Sequence, residues 1–286
     1  FKKNNRTTYP ELDPEILKDE LSSHVCMLKD ETGLCRKRFI SALKEIQNLK
    51  IDTSNQKVND FTQNIGNCFG SALEVVPDIL KDIGGIVMAF IYGPCDVGPR
   101  AVSKRSPDEM VTERLLLRMP KTERSAFYGG IARLYARSLI SLHLFAASDA
   151  NGFVDLAVIG VPCGLTGGRC HSFRGFDPSK DISALHSEIY RTLTMKYLWD
   201  ATIRLRTSNG LTIRRIHANC QLSTPNTISI PAVPIDDSFA YEFDVLMHVT
   251  TDTINFQLEL EWNNEERKRM IRVINFSLPV SDDPLR

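Results

Sequence analysis

Four arginines, Arg204, Arg206, Arg214 and Arg215, carry the clearest chemical signal in this chain of 286 residues. Side chains at alternate strand positions share one face. Arg204 and Arg206 would therefore present their guanidinium forks side by side, with Arg214 and Arg215 close by. Such forks suit the carboxylates of an acidic peptide. A solvated sheet face explains the same pattern equally well. Arg267, Lys268, Arg269 and Arg272 make a second basic stripe, suited to an anionic membrane, where each charge contributes ~1 kcal/mol near the surface. Glu265 and Glu266 beside it allow a surface ion-pair cluster instead.

Other residues suggest catalysis only faintly. GPCDVGPR at 93–100 could cradle a phosphate with backbone N–H groups, but its two prolines remove donors, and a turn shaping the surface is the preferred reading. GLTGG at 164–168 also looks like a nucleotide loop, but glycines that permit a tight entry into the strand at 169–173 are the preferred reading. Cys170 and His171 are neighbours, so on a strand they point to opposite faces and cannot act on each other. Cys163 or Cys95 with a distant histidine stays open as a nucleophile pair, though nothing marks either thiol as activated. His143 sits inside an apolar run and reads as a satisfied core histidine. No catalytic residue is assigned.

Composition narrows the classes. With 42% hydrophobic and 24% charged residues the chain can build a proper core. Formal net charge is zero and the isoelectric point is near 7.1, so there is no global basic field to hold nucleic acid. No apolar run approaches the ~18 residues of a membrane helix. FKKNNRTTYP does not resemble a secretory signal, and a cytosolic protein is expected. The seven cysteines are odd in number, scattered and without a CxxC pair. That argues against a disulfide framework or a zinc cluster, and reduced structural thiols are expected.

The elements that must hold these residues fall into two kinds. Residues 1–37 read as a polar lead-in. Phe39, Leu43 and Ile46 recur at helical spacing, 51–67 is polar and turn-rich, and a second helix starts near Gly70-Ser71. Ile86 to Tyr92 is apolar throughout, which predicts a strand covered on both faces. Residues 127–138 read as helix, 141–147 as a buried strand, 153–160 as helix and 169–173 as a strand, an alternation that fits a doubly wound sheet. Asp177-Pro178 is a helix start. Near residue 199 the period changes from 3.6 to 2. Ser208-Asn209-Gly210 reads as a hairpin turn returning into 211–215. Tyr241 to Val249, Ile254 to Trp262 and Arg269 to Leu278 alternate in turn, the last two joined through Asn263-Asn264. Four or five antiparallel strands of this kind make a β-sandwich.

Nine stretches in this order resemble the Sec23/Sec24 family, the paired inner subunits of the COPII vesicle coat. They are GSALEVV at 70–76, GGIVMAF at 84–90, GPCDVGP at 93–99, FYGGIARLYARSLISLHLF at 127–145, DLA at 155–157 and TGG at 166–168. IRLRTSNGLTI at 203–213, FQLEL at 256–260 and RKRMIRVINFSLPV at 267–280 complete them. TSNGL at 207–211 and the return strand ending in Leu278-Pro279-Val280 look more like Sec24, the cargo adaptor.

The resemblance implies an α/β plus all-β fold: a partial von Willebrand A-like trunk, a doubly wound sheet with flanking helices, over 1–198, its opening strand missing. An antiparallel β-sandwich follows over 199–282, and 283–286 begins a helical domain. Zinc is implied only for a zinc-ribbon region absent from this span. The Asp-x-Ser-x-Ser of a von Willebrand A metal site does not occur, so no metal and no cofactor are expected. The segment 217–231 corresponds to a cargo-signal groove, so Asn226 and Thr227 join Arg204, Arg206, Arg214 and Arg215 as expected peptide contacts. Ala218, Cys220, Gln221 and Ser223 depart from the family pattern there, as Arg100 does in the trunk. The implied function is a non-enzymatic cargo adaptor, cytoplasmic and peripheral on ER exit sites and COPII vesicles. Its implied partners are a Sec23-type coat subunit, the cytoplasmic tails of cargo membrane proteins and SNAREs, the coat GTPase indirectly, and the anionic ER membrane. The alternatives are the GTPase-activating partner subunit, a cysteine hydrolase on an α/β domain, and an adhesion-type von Willebrand A module.

Overall fold

A computed structural model describes residues 34–48, 67–80, 83–98, 100–103, 105–106, 113–116, 125–150, 152–208, 210–245 and 251–281. The polar segments expected over 1–33 and 51–66, Met247 and Val249, and residues 283–286 lie outside them. The chain forms two compact units, 1–66 and 67–286. Helix α1 (Leu34–Asn48) belongs to the first, and every other described element belongs to the second.

The second unit opens with α2 (Phe69–Leu80), β1 (Gly85–Tyr92), α3 (Glu113–Leu116), α4 (Ala126–Arg137) and β2 (Ile140–Ser148). It continues with α5 (Leu156–Ile159), α6 (Val161–Leu165), β3 (Cys170–Arg174) and α7 (Pro178–Thr194). The three strands form a parallel sheet in the order β1-β2-β3. Ile140, Leu142, Leu144 and Ala146 of β2 face Leu73 of α2 and Ile131 and Tyr135 of α4 in one buried core. On the other face Phe90, Phe145 and His171 stand in register across the strands, with ring centroids 4.9 and 4.7 Å apart.

Two expectations change here. The apolar run at 86–92 is not covered on both faces. Among the described residues β1 pairs only with β2, and Phe90 and Tyr92 remain exposed. Uniform apolarity reports side-chain type, not the number of neighbours, and the central buried strand is β2. The helix expected from Phe153 starts at Leu156 and is broken at Gly160 into α5 and α6. Asp177 does cap α7: its side chain accepts from the Ser179 N–H at 3.0 Å, with Pro178 opening the first turn.

The sandwich holds β4 (Tyr197–Thr207), β5 (Leu211–His217), β6 (Gln221–Thr224), β7 (Thr227–Pro234), β8 (Ala240–Val245), β9 (Thr253–Asn263) and β10 (Arg269–Pro279). One sheet runs β10-β9-β4-β7-β6 and the other pairs β5 with β8. Their inner faces meet through Ile203, Ile216, Ile228 and Ile230, with Leu258, Leu260 and Tyr241 packed against them. The β9–β10 hairpin forms as the alternation predicts, its turn held by the Asn264 side chain accepting from the N–H groups of Glu266 and Lys268. The hairpin expected from β4 into β5 does not form. β4 pairs with β7 and β9 whereas β5 pairs with β8, so the chain passes from one sheet to the other between the two strands. Among the described residues β10 has no neighbour on its outer side and is exposed along its whole length.

Trunk and sandwich meet at the GLTGG loop and at one carboxylate. The Gly167 N–H donates to the Asn219 carbonyl at 2.9 Å, and Thr166 bridges Cys220. Asp236, just after β7, accepts from Arg169 ahead of β3 and from Arg191 of α7.

Candidate peptide-binding face of the sandwich

The alternation of β4 puts Ile203 and Leu205 inside and Arg204 and Arg206 outside. Register sets Arg204 opposite Thr227 of β7 and Glu259 of β9, and Arg206 opposite Gln257. The contacts follow that register. Arg204 Nε donates to Thr227 Oγ1 at 3.3 Å and Nη1 to Glu259 Oε2 at 3.4 Å. Arg206 donates from Nη1 to Gln257 Oε1 at 2.7 Å, while its Nη2 lies 3.0 Å from the same Glu259 oxygen. Asn226 locks the neighbouring turn: its side-chain oxygen accepts from Thr224 and Thr227, and its carbonyl accepts from the Leu205 N–H. Arg204, Arg206, Asn226 and Thr227 are thus one constellation. Beside it a groove of about 540 Å³ runs between Arg206, Ser208, Asn255, Gln257 and Asn275.

Two guanidinium groups share one carboxylate here, so the immediate neighbourhood keeps one positive charge. Arg206, with 48% of its side chain exposed, is the better placed to receive a further carboxylate. Glu259 is the hub, and sequence reading missed it. It stood out only as a polar member of an alternating strand, and its effect depends on β9 lying beside β4.

Arg214 and Arg215 do not join this group. They lie on β5, whose Ile213 and Ile216 face the shared core, so they point outward from the opposite sheet. A register shift between Ile213 and Arg215 lets both face away from the core. Arg214 lies 3.9 Å from Asp244. Glu242, in register with Arg215, takes a 2.6 Å contact from His217 Nε2, and that bond chiefly holds its carboxyl below the usual range. The four arginines therefore form two separate patches, because β4 and β5 belong to different sheets. The second basic stripe is divided as well. Lys268 pairs with Glu266 at 2.7 Å, and Arg269 pairs with Glu261 at 2.9 Å and Asp200 at 3.2 Å. Arg272, three positions on, projects from the other side of β10. Arg267 sits in the turn with φ 60°.

In the loop after β1 the N–H groups of Gly93, Val97, Ala101 and Val102 all donate to carbonyls of the protein, and Cys95 is buried against Tyr128. Those donors are not free to cradle a phosphate. In the GLTGG loop, Thr166 and Gly168 both donate to the Cys163 carbonyl. Arg100 grips Glu74 at 2.7 Å and lies over the Phe127 ring. Neither Cys220 nor Cys163 is an activated thiolate: burial pushes Cys220 up to about 12, and a hydrogen bond donated to Cys170, then burial, holds Cys163 well above the ordinary range. Cys170 and His171 do lie on opposite faces, His171 stacking on Phe145 with Nδ1 3.5 Å from Glu188. His143 is in the core as expected, but among the described residues neither ring nitrogen has a hydrogen-bond partner. A bidentate pair that sequence reading missed, Arg105 with Asp155 at 2.8 and 2.9 Å, is buried beside a cavity of about 200 Å³ under the loop. Among the described residues no three His, Cys, Asp or Glu side chains could hold a metal ion, and no helix is long and apolar enough to cross a membrane.

Two family models match the chain: the Sec23/Sec24 trunk domain over residues 15–193 and the Sec23/Sec24 beta-sandwich domain over 198–281. Protein transport protein SEC24 of Dictyostelium discoideum is 27% identical over 248 residues, covering 85% of this chain and 24% of its own length. Protein transport protein SEC24 A of Arabidopsis thaliana is 27% identical over 224 residues, covering 77% of this chain and 21% of its own. The chain therefore spans about a quarter or less of these relatives. The crystal structure of the human COPII-coat protein Sec24c superposes with a TM-score of 0.66 at 20% identity, over 75% of this chain and 29% of that one. With a trunk and a sandwich each matched in the same order, this chain belongs to the Sec23/Sec24 family.

Proposed function

We propose that the chain is the trunk and sandwich of a cargo-adaptor subunit of the COPII coat, dividing near residue 199 and working by recognition, with no catalytic residue, metal or cofactor of its own. The observation that carries this reading is the run of similarity to relatives named SEC24 across both domains. Arg204, Arg206, Asn226 and Thr227 read an acidic sorting peptide from a cargo or SNARE tail. Glu259 holds the two forks in place until a peptide carboxylate takes over the exposed side of Arg206. Arg214 and Arg215 serve as a separate patch on the opposite sheet. The trunk pairs with a Sec23-type subunit, through which the coat GTPase is met indirectly. Arg267 and Arg272, together with the paired Lys268 and Arg269, lend positive charge toward an anionic ER membrane, placing the chain on the cytoplasmic side of ER exit sites.

One assay tests both parts. The chain and its Arg204→Glu/Arg206→Glu variant are mixed with a purified Sec23-type subunit and with a labelled acidic peptide. Both proteins should co-purify with the subunit, and the variant should bind the peptide at least tenfold more weakly. Failure of both proteins to pair would count against the coat reading. Unchanged peptide affinity in a variant that still pairs would remove this face from consideration while leaving the family role in place.

A further inference from the structure

Cys163 and Cys170 bracket the loop on which the sandwich rests. Cys163, in α6, is 1% exposed, whereas Cys170, at the start of the edge strand β3, is exposed; neither is in a disulfide. Three observations bring the two sulfurs together. Cys170 Sγ lies 3.6 Å from where a Cβ on Gly160 would sit, and Cys163 follows Gly160 by about one helical turn. Leu144 is the register partner of Cys170, and its backbone also reaches the Cys163 sulfur. The two thiols share a hydrogen bond, and this bond with burial keeps Cys163 in its protonated form.

We propose that Cys163 and Cys170 are a redox-modifiable dithiol that a peroxide converts into a disulfide across the base of the GLTGG loop. Accessibility sets the order of events. The Cys170 sulfur attacks the peroxide, the O–O bond breaks, and a sulfenic acid and one water form. The Cys163 sulfur then attacks the Cys170 sulfur: the S–S bond forms, the S–O bond breaks, and the hydroxyl leaves as a second water with the Cys163 proton. Two thiols lose two electrons and one peroxide becomes two waters. Burial shields Cys163 from the oxidant and leaves it to resolve the sulfenic acid. The bond would tie α6 to β3 on either side of Thr166 and Gly167, the residues that meet Asn219 and Cys220 of the sandwich. The trunk–sandwich seat thereby becomes sensitive to oxidant.

The test uses the unmutated full chain treated with hydrogen peroxide, alkylated, digested without reductant and read by mass spectrometry. The expected product is a peptide pair linked through Cys163 and Cys170, lost on adding dithiothreitol, with free thiols falling by two per chain. In Cys170→Ser the link should vanish and Cys163 should remain alkylatable. Accumulation of Cys170 as sulfinic acid while Cys163 stays free would overturn the proposal, as would pairing of Cys170 only with a thiol of another chain.

Discussion

His143 shows how one side chain ties packing to pH. It is fully buried in β2, edge-on to the Tyr197 ring at 6.2 Å, with both ring nitrogens unpartnered among the described residues. Burial first, then the charges of His171 and Arg169, lowers its pKa from 6.5 to about 4. The folded state thus keeps the imidazole neutral while the unfolded chain takes up a proton below pH 6.5. Stability contributed by this site is intact above that pH and is lost as pH falls toward about 4, below which both states are protonated. The slope approaches ~1.4 kcal/mol per pH unit, about 3 kcal/mol in all. Urea unfolding of His143→Leu across pH 7 to 4.5 should therefore show a flatter profile than the parent. Some slope should remain from His171, whose pKa burial also lowers. An equally steep profile in the variant would show that other groups set the acid sensitivity. The unpartnered state of His143 was not legible in the sequence: an apolar run predicts burial, but partners depend on which rings and strands stack above it.

At the scale of elements, the GLTGG loop is fixed by close approach. A Cβ on Gly168 would stand 1.8 Å from the Leu142 carbonyl oxygen, and Gly167, at φ 75°, has Ile230 at 2.4 Å from the same imagined atom. Both obstacles belong to central, well-paired strands that have little room to yield. Gly168→Ala should cost at least the upper part of the ~1–3 kcal/mol usual for overpacking. Gly164→Ala in α6, with open space around it, should be neutral or stabilising by up to ~1 kcal/mol. Thermal unfolding of the two variants side by side checks the contrast, and similar midpoints would refute it. Local signals predicted elements well wherever they were self-contained: the Asp177-Pro178 cap, the Asn263-Asn264 hairpin and the alternation of β4, β9 and β10. They failed where the answer lay with a distant partner. The 208–210 turn has hairpin chemistry, yet β4 finds better neighbours in β7 and β9. The arginine-bearing candidate face was half legible for the same reason, since alternation paired Arg204 with Arg206 but could not reveal Glu259 or separate Arg214 and Arg215.

For the whole molecule, β10 is the consequential surface. Ile271 and Val273 are 63% and 51% exposed on one side, and Ile274 and Phe276 are 44% and 43% exposed on the other. A long strand with apolar residues and unpaired backbone groups is a template for another chain. Sedimentation velocity of the chain should show self-association that rises with concentration. An Ile271→Lys/Val273→Lys variant should sediment as a monomer with an unchanged far-ultraviolet spectrum; equal association in both would locate the sticky surface elsewhere. The trunk–sandwich seam has the opposite character. One sandwich carboxylate, Asp236, is gripped by cations from two different trunk elements, and the tight loop of Gly167 and Gly168 abuts β7 alongside. Twisting one half against the other would have to break that double grip, so a partner pulling on either end meets a single stiff lever, not two beads on a string.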